Sequence, residues 1–522
     1  MPGWIAGSTG TTAGMGVLLA PKTLFSTLGH IMNNHYRALL SSALMAGGLV
    51  TALPAVTLDL ADRRELFVDH HLIEQLDGVR LALGTPQPGE EVLRFDRPWE
   101  YAAGFVTVIK DGPKYRMYYR GGRKSPDGVF DVKGEVVCYA ESDDGINWMK
   151  PALRLHGFPG HAATNIIIGP TEHRIGHNFS PYLDDRPGVP PDERYKAVAG
   201  KGPTGEASPG LFRCVSADGI HWRPYSPEPI FAGYALDSLN VLTWLPDEQC
   251  YAIYLRTWSE GGTPEQPKFK GIRTISRSTS KDFINWTKPE PMSFGDTPLE
   301  HLYTNNTQPY FRAPHLLVAL PFRLWPDRRA LTPEHLAGLG VPPNHARGLS
   351  DAVLMTSRGG PHYDRTFMES FVRPGMDPIK WHARETQPSN GVVPTGSGEM
   401  SFYVVNHYPM PTQHLTRMVL RTDGFASARA GYAPGTLLTK PFRFRGARLE
   451  LNFATSAAGE VKVELLDPDG AILATSAVLI GDEIARWVDW TERAGVGEFA
   501  GRPVRLRFTL KDADLYSFRF AD

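Results

Sequence analysis

Two kinds of side chain recur at matching places along this chain. Glu100, His177 with Asn178, Asp237, and the segment from Glu300 to Asn305 that includes Tyr303 each stand just ahead of an extended apolar run. Arg120, Lys201, Arg256, Arg323 and His407 each close the run that follows. Two carboxylates in one site can divide the work of splitting a glycosidic bond: one keeps a proton for the departing oxygen, the other, ionised, activates water or attacks the anomeric carbon. Glu100 and Asp237 are the expected pair, with Glu300 the alternative acid. A lone carboxylate at a strand start is ordinarily a solvated turn residue, and an Arg at a strand end an ordinary ion pair; recurrence in register is what singles these out. Arg120, His177, Asn178, Arg256, Tyr303, Asn305, Arg323 and Glu399 are the expected substrate-binding set. Three guanidinium groups among them suit an acidic sugar such as a uronate. Glu399 is ambiguous: it joins the others if its strand begins at Met400, and lies at the far side if NGVVPTGSG is the first strand of its unit.

Side chains so spaced need a scaffold that presents one strand end after another to a common point. The phrase Ser142-Asp143-Asp144-Gly145-Ile146-Asn147-Trp148 supplies the ruler. It returns as Ser216-Ala217-Asp218-Gly219-Ile220-His221-Trp222 and, more loosely, as Ser280-Lys281-Asp282-Phe283-Ile284-Asn285-Trp286. Asp-Gly after an extended run is turn chemistry, because Asp bonds its own backbone and Gly accepts positive φ. The aspartates of the phrase are therefore expected to be structural, and Trp148, Trp222 and Trp286 to pack between units. Trp148 to Trp222 spans 74 residues, Trp222 to Trp286 spans 64, and Trp286 to Tyr363, the matching aromatic of a fourth unit, spans 77. With a weaker fifth unit ending in LTRMVLRTDGF, the chain reads as a five-bladed β-propeller. The intervals exceed the ~40 to 50 residues of a plain blade, so each blade is expected to carry sizeable loops. In such a disc, residues ahead of each first strand and residues closing each second strand share one face. Trp99, Trp244 and Trp258 fall near that mouth, where an aromatic face can stack on a sugar.

From about Pro441 the chain alternates apolar and polar residues, with a turn at Asp467-Pro468-Asp469-Gly470, and reads as an antiparallel β-sandwich. The fold class is thus all-β: a propeller over 56–435 followed by a C-terminal antiparallel β-sandwich over 436–522. The stretch 64–75 reads as a strand and edge, followed by a polar, Pro-rich connection to Pro98. Residues 1–55 read as an upstream extension and signal peptide, starting at Met32 with Arg37, an apolar stretch from Ala38 to Leu53, and small residues for cleavage near Ala52 or Ala55. The expected destination is the periplasm or the medium, with no membrane span after signal removal. The balance of 55 basic and 56 acidic residues gives a formal net charge of -1, which excludes a global field for nucleic acid. Cys138 and Cys214 precede the repeated phrase at equivalent positions and are expected to be small buried residues. No Cys/His cluster points to zinc, and no cofactor or metal is expected.

The units of the form YRMYYRGG…VVCYAESDDGINWMKP, with LRTDGFASARAGYAPGTLLTKPFRFRGARLELNF at the C-terminal end, resemble the five-bladed propeller glycosidases of the family 32 and family 43 superfamily, in an uncharacterised family 32-like bacterial branch, over roughly residues 64–522. The resemblance implies a glycoside hydrolase. The WMNDPNG, RDP and EC boxes of invertase-type enzymes are absent. At the positions of the arabinanase-type Asp base, Asp modulator and Glu acid this chain offers Glu100, His177/Asn178 and Asp237, so all three residue types differ. The expectation is an exported glycosidase acting on an acidic or furanose sugar of a poly- or oligosaccharide. A polysaccharide lyase using His177 or Tyr303 as base, and a non-catalytic glycan-binding propeller, are the alternatives.

Overall fold

The structure is a computed structural model describing residues 57–126, 128, 130–170, 173–201 and 210–522; for Val132, His173, Arg174 and Lys201 the backbone alone is described. The expected leader lies outside the described residues. Among those described, no helix is long and apolar enough to cross a membrane.

The described chain is nearly all β, and five antiparallel sheets follow one another from Gly104 to Arg421. The first comprises Gly104–Asp111, Lys114–Lys124, Phe130–Ser142 and Ile166–Ile168. The second comprises Ser180–Leu183, Tyr195–Lys201, Gly210–Ser216 and Arg223–Pro224, and the third Val241–Leu245, Cys250–Gly261, Phe269–Ser280 and Glu290–Pro291. The fourth has Thr307–Tyr310, Ala313–Ala319 and Met355–Ser357, and a small extra sheet of His301–Leu302, Phe322–Trp325 and Leu349–Ala352 is interleaved with it in sequence. The fifth has Gln387–Pro388, Val393–Gly396, Glu399–Asn406 and His414–Arg421, completed by Gln87–Arg94 from the opposite end of the chain. That last strand falls where a polar connection is expected. Its exposed Glu90 and Glu91 hide the strand signal, but its backbone pairs with Leu415, Thr416 and Met418.

The first strands of consecutive sheets lie side by side: Gly104–Asp111 beside Ser180–Leu183, that beside Val241–Leu245, and that beside Thr307–Tyr310. Gln387–Pro388 and Val393–Gly396 lie beside Gly104–Asp111, so the succession returns to its start. Each sheet buries both faces. Tyr118 and Phe212 meet between the first and second sheets, Leu211 and Ile253 between the second and third, Ala252 and Leu317 between the third and fourth, Val318 and Phe402 between the fourth and fifth, and Tyr119 and Val405 between the fifth and first. A fully buried side chain of this size contributes roughly 1.5–3 kcal/mol, so these shared cores hold the succession together. Cys138, Cys214 and Cys250 are buried in them and form no disulfide among the described residues.

The repeated phrase is a clasp. Asp144 Oδ1 accepts from the backbone N–H of Ile146 at 2.8 Å and of Asn147 at 2.7 Å, Ser142 Oγ accepts from Gly145 N at 2.9 Å, and Trp148 Nε1 donates to Gly145 O at 3.0 Å. Asp218 and Asp282 repeat the carboxylate bonds, and Trp222 and Trp286 the indole bond. The third copy is looser because Phe283 takes the left-handed position, φ 65°, that Gly145 and Gly219 fill elsewhere. Trp148 packs on Tyr403 of the fifth sheet, and Trp222 on Tyr118 of the first.

Beyond Phe425 a nine-stranded sheet is built around Arg448–Leu466 and Arg505–Ala521, paired along their length. A register shift between Thr455 and Glu460 divides the pair, and Leu449, Phe453, Val463, Phe508 and Phe518 from both parts share one core. Hydrogen bonding thus makes one continuous sheet where two were expected. It also takes in Glu65–Leu66, Ile73–Asp77 and Val79–Leu83, so the segment read as a strand and edge ahead of the propeller pairs with the C-terminal strands.

Candidate active site

A cavity of about 260 Å³ opens beside the starts of the five successive sheets. Its lining follows the spacing read from the sequence. Tyr101, Ala102 and Phe105 come from the start of the first sheet, His177 from just before the second, Asp237 from before the third, Tyr303 from before the fourth, and Arg384 with Gln387 from before and within the fifth. Arg120, near the end of the first sheet's second strand, and Tyr408, just past the equivalent strand of the fifth, complete the wall with Phe130 and His345.

At its centre His177 bridges two carboxylates. Its Nδ1 lies 2.6 Å from Glu135 Oε2 and its Nε2 lies 3.1 Å from Asp237 Oδ1. Burial alone would lower the imidazolium, but the charge of Glu135 and the bond to Asp237 raise it to about 9, so His177 is protonated at neutral pH and donates to both. Asn178, at φ 49°, donates from Nδ2 to Asp237 Oδ1 at 3.3 Å. Burial pushes Asp237 up, yet the hydrogen bond and charge of His177, followed by the charges of Arg256 and Arg120, hold it far below the usual carboxylate range. Glu135 is buried, whereas the Asp237 side chain is 50% exposed and opens into the cavity. The trio therefore presents one oriented, ionised carboxylate.

Two further cations, Arg120 and Arg384, and the phenols Tyr101, Tyr303 and Tyr408 stand among apolar and amide side chains in the rest of the lining. Arg120 donates to the Tyr408 hydroxyl at 3.1 Å and to Ala102 O at 3.3 Å, its guanidinium lying 4.6 Å from the Phe105 ring centroid and 4.9 Å from that of Phe130. Arg384 also bonds Tyr408 and faces the Tyr303 ring at 5.8 Å. His345 is buried against the Tyr408 ring; burial, then the charges of Arg384, His382 and Arg120, push it down to about 3, so it is neutral. Ala102, Phe105 and Arg384 adopt positive φ (51°, 51° and 68°), a cost for non-glycine residues that the surrounding contacts must hold in place.

The expected residues divide. Arg120, His177, Asp237 and Tyr303 line the cavity and Asn178 touches Asp237. Arg256 lies behind, 5.9 Å from the Tyr303 ring, and donates from Nε to Ala235 O. Glu100 does not line the cavity: it is buried, accepting from Tyr119 at 2.6 Å and Lys150 at 2.6 Å, because the chain turns at Arg97–Glu100 and directs the carboxylate inward. Glu300 is held by Arg323 at 2.8 Å and Arg365 at 2.6 Å, and Arg323 is itself gripped by Asp351 at 2.9 and 2.6 Å. Asn305 is a buried backbone tie, donating to Tyr254 O at 3.0 Å. Glu399 starts a strand whose other end leads to Tyr408, and pairs with Arg417 at 2.9 Å, which puts it at the far end. His407 bonds Asp377 and Thr412, both at 2.9 Å. The side chain of Lys201 lies outside the described residues. Glu135, His345, Arg384 and Tyr408 were not anticipated. Tyr408 follows His407 by one residue and was within reach of the strand-end rule, and Glu135 is a lone carboxylate heading the apolar run VVCYA; Arg384 lies in a turn and His345 ends a single 3-10 turn, Pro343–His345, neither with a period to read.

No family model matches the chain, and no curated protein matches it. Several solved structures are similar to it at low identity. One is a BT0996 RGII complex, 14% identical, covering 65% of this protein and 92% of that one with a TM-score of 0.42. A glycosyl hydrolase from Bacteroides ovatus is 13% identical, covering 69% and 97%, TM-score 0.37. An N-acetylgalactosamine deacetylase from F. plautii in complex with blood group B trisaccharide is 11% identical, covering 67% and 97%, TM-score 0.39.

Proposed function

We propose that the five sheets are the blades of a five-bladed β-propeller, that the cavity is its mouth, and that the protein is an exported glycan-active enzyme cleaving a glycosidic bond of an acidic sugar. One observation carries this reading: among the described residues a single ionised carboxylate, Asp237, opens into a cavity whose other charged lining is Arg120, Arg384 and protonated His177. The cations suit a substrate carboxylate or another sugar-borne anion, and Tyr303 and Phe105 offer ring faces to the sugar. Asp237 takes the proton of an attacking water or attacks the anomeric carbon itself. The Tyr408 hydroxyl accepts from Arg120, which leaves its own proton free for the departing oxygen. Glu100 and Glu300 do neither, since both are committed to other partners.

Asp237→Asn, assayed on a panel of uronate-containing oligosaccharides, is expected to lower kcat by on the order of 10² to 10⁴ with the fold intact. Undiminished turnover in that variant would sink the reading.

A second reading draws on the same single open carboxylate. β-Elimination from a uronate needs one base and cations that neutralise the sugar carboxylate, and no second carboxylate. Its product is unsaturated and absorbs in the ultraviolet, so the absorbance of the products distinguishes elimination from hydrolysis.

A further inference from the structure

Behind Tyr303 the third sheet carries a second cluster of cations outside the cavity. Arg256 and Trp258 are two apart on one strand and so share a face, and Arg273 stands opposite Trp258 on the next strand. The Arg273 guanidinium lies 4.5 Å from the Trp258 ring centroid and 5.4 Å from that of Tyr303. Phe269, 46% exposed, packs on Trp258 with ring centroids 4.9 Å apart.

Neither cation has a carboxylate within ion-pair distance among the described residues; the charge of Asp237, in the cavity, acts on both. Flanking acids are committed elsewhere: Glu260 to Lys270 at 2.7 Å, Glu300 to Arg323 and Arg365, and Asp327 to Arg347. His301, which faces Arg273 at 3.4 Å, is an imidazole and supplies no anion. The buried Trp258 Nε1 and Arg273 Nε have no hydrogen-bond partner. The unpartnered Arg273 Nε and indole N–H, with the Arg256 guanidinium whose Nε is bonded to Ala235 O, lie beside an exposed aromatic ring and form an anion site with a stacking platform.

We propose that Arg256, Arg273 and Trp258 bind an anionic group, a carboxylate or a sulfate ester, on the sugar next to the one held in the cavity, with Phe269 and Trp258 stacking on that sugar's ring. The proposal rests on the cavity reading above and deepens it: the substrate is a glycan with anions on neighbouring residues.

Calorimetric titration of the full chain carrying Asp237→Asn separates binding from turnover. The probes are galacturonic acid against digalacturonate, and galactose 4-sulfate against a doubly sulfated galactobiose. The two-residue probe of one set is expected to bind about tenfold tighter than its monomer, and Arg273→Gln to bring that ratio close to one. Trp258→Phe, which keeps the ring and removes the N–H, should reduce the ratio about threefold. The set that shows the gain identifies the anion as carboxylate or sulfate. An unchanged ratio in correctly folded Arg273→Gln and Trp258→Phe proteins, a two-residue probe no tighter than its monomer, or no binding by any probe overturns the proposal. Arg120→Gln tests the cavity separately: monomer affinity insensitive to it counts against the cavity reading, while an Arg273-dependent ratio still supports the second site.

Discussion

Arg323 and Arg384 are equally cationic, both largely buried, and both near strand ends, yet their surroundings are opposite. Arg323 is neutralised twice over, by a two-pronged grip from Asp351 and by Glu300, which Arg365 also holds. Arg358 is treated alike by Glu65 and Asp69, and Arg417 by Glu90 and Glu399. Arg384, Arg256 and Arg273 have no carboxylate against them among the described residues, and Arg120 has only Glu135 at 4.0 Å. A buried charge without a partner is costly, so the sequence tolerates it where a ligand supplies the missing sign. The two sets separate the guanidinium groups that hold the fold from those that wait for substrate, a distinction that residue type and strand position cannot make.

The largest effect should come from crossing that line. Arg323→Met leaves Glu300 and Asp351 buried without their shared cation, and chemical denaturation should show a loss of about 3–5 kcal/mol. Arg384→Met removes a cation from a surplus of them. Its unfolding free energy should stay within about 1 kcal/mol of the parent, while affinity for an acidic glycan falls at least tenfold. Equal destabilisation by the two would break the comparison.

Next in size is the pH response of the bridge at His177. The folded pKa of about 9 lies above the unfolded value, so its stabilising contribution is complete below roughly pH 6.5 and is lost as pH rises through about 9. That amounts to about 3 kcal/mol between pH 6.5 and 10. The parent should therefore lose stability across this window, and His177→Gln, which cannot titrate, should not. An identical alkaline slope in both would remove His177 as the cause.

Much of this was legible in the sequence. The clasp phrase located the third strands because its hydrogen bonds are local, within three residues of Asp144, Asp218 and Asp282. The same register led to His177, Asp237, Tyr303 and Arg120, since strand order fixes where a residue ahead of a first strand must lie. It misled at Glu100 and Glu300, whose positions are equivalent but whose side chains turn to partners far along the chain, Lys150 and Arg365. Which way a carboxylate points depends on such long-range pairing, and no linear pattern records it. His345 and Arg384 were hidden for the related reason that a single 3-10 turn and a chain turn carry no period. Gln87–Arg94 was missed because an edge strand can be polar on both faces when its backbone does the pairing.

The smallest effect sharpens the comparison on the acidic side. Asp218 and Asp237 are both held below the ordinary carboxylate range, for different reasons. Asp218 is partly desolvated, which opposes ionisation, but the N–H groups of His221 and Ile220 bring it down to about 2. Asp237 owes its shift chiefly to a protonated side chain, His177. Because the folded pKa of Asp218 lies below its unfolded value, its contribution is present above about pH 4 and is lost as pH falls toward 2. Asp218→Ala should therefore cost about 1 kcal/mol at neutral pH, in line with loss of a capping carboxylate. It should also flatten the acid limb of the stability curve and leave kcat unaltered, since the clasp does not touch the cavity. Asp237→Asn should do the reverse at the site, losing turnover, and its stability should fall by no more than about 3 kcal/mol, the share carried by the His177 bridge. A fall in kcat with Asp218→Ala larger than its loss of folded protein would mean that the clasp positions the site, and that scaffold and site are less separable than their arginines suggest.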